Sequence, residues 1–288
     1  MSAFSKAWLF FAVTFAFSWA CQTPAILVLR AELPVPPIVM GMMALGSAGP
    51  SLVALWFWLL ERKTLQKQRP ERDLWLRPRW QLWTCALLFN PVSHLFGSGM
   101  LWLFGHYSAQ HVLYLPLLPE QMAIAIIAPL GEELGFRGYA LPRLQARLSP
   151  LAASLCIGLV WAVWHVPTFF VPGARGASPI ELSLYLLCFV SGSVVYTWLY
   201  NAGRGSLIGP LLAHLGIHLD NVYRASTLGD GVSPLAVTAL SMTAIATCLV
   251  ASGQLRPATA VRCTPRASAG ERAGGVALAS AANGGQAW

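Results

Sequence analysis

At four places in this sequence, ionisable side chains stand inside otherwise apolar runs. They are Glu132, Glu133 and Arg137 in Gly131-Glu-Glu-Leu-Gly-Phe-Arg137; His165 in Trp161-Ala-Val-Trp-His-Val-Pro167; His214 and His218 in Pro210-Leu-Leu-Ala-His-Leu-Gly-Ile-His218; and His94. Such groups are costly in a membrane-spanning helix and ordinarily face a bundle interior or a wet cavity. Helical spacing gives the two glutamates different work. Glu133 and Arg137 are i,i+4 and can pair on one face. Glu132 sits about 100° round the helix and can point into a cavity as a general base. A single ion network of all three residues that only locks helices is the competing reading. His214 and His218 are also i,i+4. That spacing suits a metal-binding helix, or two imidazoles hydrogen-bonding to neighbouring helices. His165 and His94 taken singly read as structural, and Asn90, Ser93 and Ser98 form a polar packing patch near His94. Taken together, a glutamate pair with an arginine, a histidine and a histidine pair on three separate segments imply a hydrolytic site.

The elements that must position these residues are membrane helices. Of 288 residues, 56% are apolar and 10% charged, against roughly 45–50% and about 25% in an ordinary soluble domain. This excludes a soluble enzyme, a disordered chain and a secreted disulfide scaffold; the six cysteines are scattered without CxxC spacing. Uncharged stretches of about 17–25 residues mark the spans. They fall at 7–29, 33–60, 80–105, 149–174, 182–203 and 231–255, with a short one at 205–219. A further span begins at Gln121 and carries the glutamates and Arg137 inside it. The expectation is an all-α polytopic membrane bundle of about eight transmembrane helices around an intramembrane polar cavity.

The net charge of +8 is concentrated rather than spread: seven of the 19 basic residues lie between Arg62 and Arg79 and four between Arg256 and Arg272. That pattern reads as topology, not as a nucleic-acid surface. With the 62–79 loop in the cytoplasm, eight spans put both termini there too. Residues 1–255 are expected to form the membrane domain, with the motifs between about 120 and 222. The Ala-, Gly- and Arg-rich stretch 256–288 is expected to be a disordered cytoplasmic tail.

The three motif segments resemble the CPBP family of intramembrane proteases, also called the CAAX-protease and bacteriocin-processing, or Abi, family. Its EExxxR motif is matched by Glu132-Glu133-Leu-Gly-Phe-Arg137. Its FxxxH motif is matched by Trp161-Ala-Val-Trp-His165, with Trp in the Phe place. Its HxxxN motif is matched by His214-Leu-Gly-Ile-His218, with His in the Asn place. The resemblance implies that Glu132 activates a water with help from His165, that His214 and His218 stabilise the oxyanion, and that Glu133 and Arg137 support the site. Asn221 is a further donor one turn along. No cofactor is implied, although His218 in place of Asn opens an alternative zinc set of His165, His214 and His218. The expected partners are membrane lipid and a membrane-associated protein or peptide substrate, prenylated or not. Two other classes stay open: a silent relative acting as an immunity or scaffold protein, and a proton-coupled transporter.

Overall fold

The computed structural model describes residues 1–67, 80–103, 119–172, 178–224 and 234–258, and among these every regular element is helical. The basic loop 68–79, the loop 106–118 and the tail beyond 258 lie outside the described residues, as do the side chains of Ser93, His94, Ser98 and Asn221. The helices in chain order are α1 (Ala3–Arg30), α2 (Pro37–Ser47), α3 (Gly49–Lys67), α4 (Trp80–Leu103) and α5 (Pro119–Glu133). After a π-helical segment (Leu134–Ala140) come α6 (Leu141–Leu144) and α7 (Pro150–Trp164). After a 3₁₀ turn (Val166–Phe170) come α8 (Pro179–Ala202), α9 (Ile208–Arg224) and α10 (Pro234–Ala251).

Each of the eight expected segments contains helix. By length and composition, three helical stretches qualify as spans, Ala3–Arg30, Pro150–Phe170 and Pro179–Ala202; α2 with the first part of α3 makes a fourth if the bent pair is one span. Ile208–His218 and Leu235–Ala251 are shorter apolar helices. The segment expected as one span at 33–60 is not a straight helix: it breaks at Ala48, where the axis turns by 65°. Gly46, Gly49 and Pro50 cluster at this bend, and a side chain at Gly46 would overlap the Ser18 carbonyl oxygen at 2.8 Å. Small residues here let α1 and the α2–α3 elbow approach at backbone distance.

Local chemistry sets the ends of the site-bearing helices. Ser149 caps α7 by accepting from the Ala152 N–H at 3.1 Å, with Pro150 at the first helical position, where its missing N–H costs nothing. At the other end Pro167 cannot donate, so α7 stops at Trp164 and His165 becomes its C-cap. The Trp164 carbonyl instead accepts from Trp19 Nε1 on α1 at 3.2 Å. Ser178 and Glu181 form a reciprocal capping box on α8.

The change of pitch after Glu133 is also built in. Ser51 of α3 donates to the Leu130 carbonyl at 2.6 Å, one turn before the helix widens. A Cβ at Gly135 would stand 2.5 Å from the Pro50 carbonyl carbon, so glycine lets α3 lie directly on the π segment. At the end of the bundle beyond the π segment, Glu61 gathers three partners from three other elements: Arg143 Nη2 at 2.6 Å, Tyr139 Oη at 2.9 Å and Lys6 Nζ at 3.2 Å. α1, α3 and the π–α6 stretch are thereby tied together beside the site.

Candidate active site

Glu132 and Glu133 end α5 and face different neighbours. Glu133 and Arg137 are fully buried, and Arg137 Nη1 donates to Glu133 Oε1 at 2.9 Å. The guanidinium also lies 4.7 Å from the Trp161 ring centroid and 4.9 Å from that of Tyr196. Cation–π contacts of this kind supplement a single carboxylate partner. Arg137 Nε and Nη2, Glu133 Oε2 and the Tyr196 hydroxyl have no hydrogen-bond partner among the described residues.

Glu132 is 5% exposed and takes no part in that pair; its Oε2 accepts from Trp161 Nε1 at 2.5 Å. The two carboxylates are therefore chemically distinct. Glu133 is engaged by a cation, whereas Glu132 is held by one neutral donor, which leaves lone pairs on Oε1 for a proton.

His214 reaches the cluster from α9, its Nδ1 lying 2.9 Å from Glu133 Oε1. A carboxylate accepts, so Nδ1 carries the proton, and in the neutral ring Nε2 holds the lone pair. His165 is set the same way: Nδ1 donates to the Trp161 carbonyl at 2.9 Å, which fixes the Nδ1–H tautomer of the neutral ring. Its ring stacks on Phe189 with centroids 4.4 Å apart. His218 stacks one turn beyond His214, at 5.1 Å and 19° between planes.

The three motif segments thus meet around Trp161, whose ring centroid lies 5.9 Å from that of His165 and 5.4 Å from that of His214. The cluster is closed by aromatic rings. A separate apolar groove of about 310 Å³ lies next to His165, between α1 and the 3₁₀ turn, lined in part by Trp19, Ile26, Leu27, Val166, Pro167 and Phe170. Among the described residues no group of three His, Cys, Asp or Glu side chains is placed to hold a metal ion. In particular, His165, His214 and His218 do not form such a group.

Two positioning residues were not legible as such. Asn90, read as part of a packing patch, donates from Nδ2 to the Ala213 carbonyl at 2.7 Å, anchoring α9 immediately before His214. Trp161, read only as an apolar motif residue, supplies the donor to Glu132. An N–H-bearing ring where Phe is usual was the available signal.

A family model described as "Type II CAAX prenyl endopeptidase Rce1-like" matches residues 114–219. The CAAX prenyl protease 2 of Methanococcus maripaludis is 31% identical over 109 residues, 36% of this chain and 40% of that protein. The chain thus aligns with less than half of its curated relative's length. With its apolar helices, the protein is an integral membrane protein. The matched segment carries Glu132 through His218, and over that segment the chain is similar to the Rce1-like, CAAX-protease family of intramembrane proteases.

Proposed function

We propose that this protein is an intramembrane endopeptidase that hydrolyses a peptide bond of a membrane-associated, CAAX-type substrate through a water activated by Glu132. The observation that carries this reading is the separation of the glutamates: Glu133 is engaged by Arg137 and His214, while among the described residues Glu132 accepts its hydrogen bond from a neutral indole N–H. Glu132 takes a proton from water as the hydroxide adds to the scissile carbonyl, then passes it to the departing amine as the tetrahedral intermediate collapses. His165, with Nε2 as acceptor in its neutral form, helps to orient the water. His214 can donate to the oxyanion from Nε2 only when both ring nitrogens are protonated, a cation then lying against Glu133. His218 and Asn221 are the further oxyanion donors in this reading. In this reading the water is activated by Glu132 alone and no step is assigned to a metal.

The prenylated substrate class is taken over from the name of the archaeal relative. Purified protein in lipid nanodiscs is expected to cleave a farnesylated CaaX peptide to the trimmed peptide and a tripeptide. His218→Asn should retain that activity to within about threefold, since Asn is the usual residue there and a reliable donor. Wild type showing stoichiometric zinc that is lost together with turnover in His218→Asn would replace the present mechanism with a metal-dependent one.

Residues 1–255 form the proteolytic membrane domain in this proposal, and both termini and the 62–79 loop face the cytoplasm. Arg143, Arg147 and Arg204 fall on the same side, as the positive-inside bias requires. In intact cells, a cysteine at position 68 (Gln68→Cys) should resist impermeant maleimide and label only after permeabilisation. Labelling before permeabilisation reverses the orientation.

A further inference from the structure

Trp161 touches all three motif segments. Its Nε1 donates to Glu132, its ring packs against Arg137 and His214, and its carbonyl accepts from His165 Nδ1. The side chain is 4% exposed, so this N–H has no solvent to turn to. Phenylalanine, the residue usual at this motif position, would supply the ring and not the donor. An indole is stiff, with two side-chain torsions, and this one is wedged among Phe136, Phe189 and Tyr196, with centroids 6.4, 5.0 and 5.8 Å away. Its N–H therefore comes from a fixed direction.

A carboxylate pinned at one oxygen cannot rotate freely about its terminal torsion, so the remaining lone pairs also take a fixed direction. For a general base this matters as much as basicity, because proton transfer needs the acceptor within hydrogen-bond reach of the water and aligned with it. We propose that Trp161 is a positioning residue: its indole N–H holds Glu132 by Oε2 and makes Oε1 the oxygen that receives the proton of the attacking water.

This inference rests on the hydrolytic reading and is tested apart from it. Benzothienylalanine, introduced at position 161 by codon suppression, replaces the N–H with sulfur and keeps the bicyclic shape, so the contacts to Arg137 and His214 survive. Trp161→Phe is the simpler companion and leaves a smaller ring. On the farnesylated CaaX peptide, kcat per folded molecule should fall about tenfold in both variants with KM within about twofold of wild type, as expected when orientation and not binding is lost. The isostere should melt within a few degrees of wild type. Unchanged kcat in the benzothienyl protein overturns the inference, as does a rise in KM alone or a loss confined to thermal stability. If Glu132→Gln is inactive while the benzothienyl protein turns over normally, only the positioning role falls. If Glu132→Gln is active, the hydrolytic reading falls with it.

Discussion

Glu132→Gln should lose peptide cleavage by about two to four orders of magnitude, the usual contribution of a positioned general base, while the protein folds and extracts from the membrane as wild type does. The variant keeps the size and planarity of the side chain. Its amide oxygen can still accept from Trp161 Nε1, so the hydrogen bond seen at 2.5 Å has a replacement. It cannot take a proton from water. The stability side of the prediction follows from the division of partners: Arg137 is paired with Glu133, so neutralising Glu132 leaves no buried cation exposed to an unscreened interior. Turnover on the farnesylated peptide and detergent melting, measured on the same preparation, decide it. Cleavage within a fewfold of wild type would remove Glu132 from the mechanism, and a large melting loss would mean that the carboxylate is part of the structural ion network.

That division between the glutamates was legible from i,i+4 spacing, because the α-helix persists to Glu133 and sets the direction in which its side chain leaves. The helix beyond it was not legible. Residues 134–140 wind as a π-helix, a form frequent at functional sites, and what sustains it is tertiary: Ser51 on the Leu130 carbonyl and Gly135 on the Pro50 backbone. Hydropathy likewise reads 33–60 as one uncharged run, since it sums side-chain polarity and carries nothing about the bend at Ala48. The histidine pair shows the same limit. Spacing places His214 and His218 on one face, where a metal or a hydrogen-bond partner would serve equally. Only the approach of Glu133 from α5 shows where His214 spends Nδ1. Trp161 is the clearest case, because a motif aromatic reads as packing until the atom opposite its N–H is known.

Glu133→Gln should act mainly on stability, the reverse of its neighbour. Arg137 and Glu133 have no solvent exposure, and the Arg137–Glu133 contact is 2.9 Å. Removing one partner of a buried pair costs about 3–5 kcal/mol, because the remaining charge keeps its desolvation penalty and loses its attraction. The rings of Trp161 and Tyr196 beside the guanidinium soften that cost without cancelling it, since a cation–π contact is worth about 2 kcal/mol when desolvated. Glutamine can still accept one hydrogen bond, but it cannot serve Arg137 Nη1 and His214 Nδ1 with the charge that Glu133 Oε1 now offers both. Neutralising the cation as well should recover much of the loss: in Glu133→Gln with Arg137→Met, no charge remains buried, and the methionine stem fills part of the volume against the aromatic rings. Unfolding in graded denaturing detergent should therefore rank wild type above the double variant and the double variant above Glu133→Gln, with residual cleavage in the single variant tracking its folded fraction. If Glu133→Gln unfolds with wild type, the buried pair is not what holds α5 to its neighbours. If it stays folded and loses turnover as completely as Glu132→Gln, the separation of roles drawn from the two helix faces is wrong.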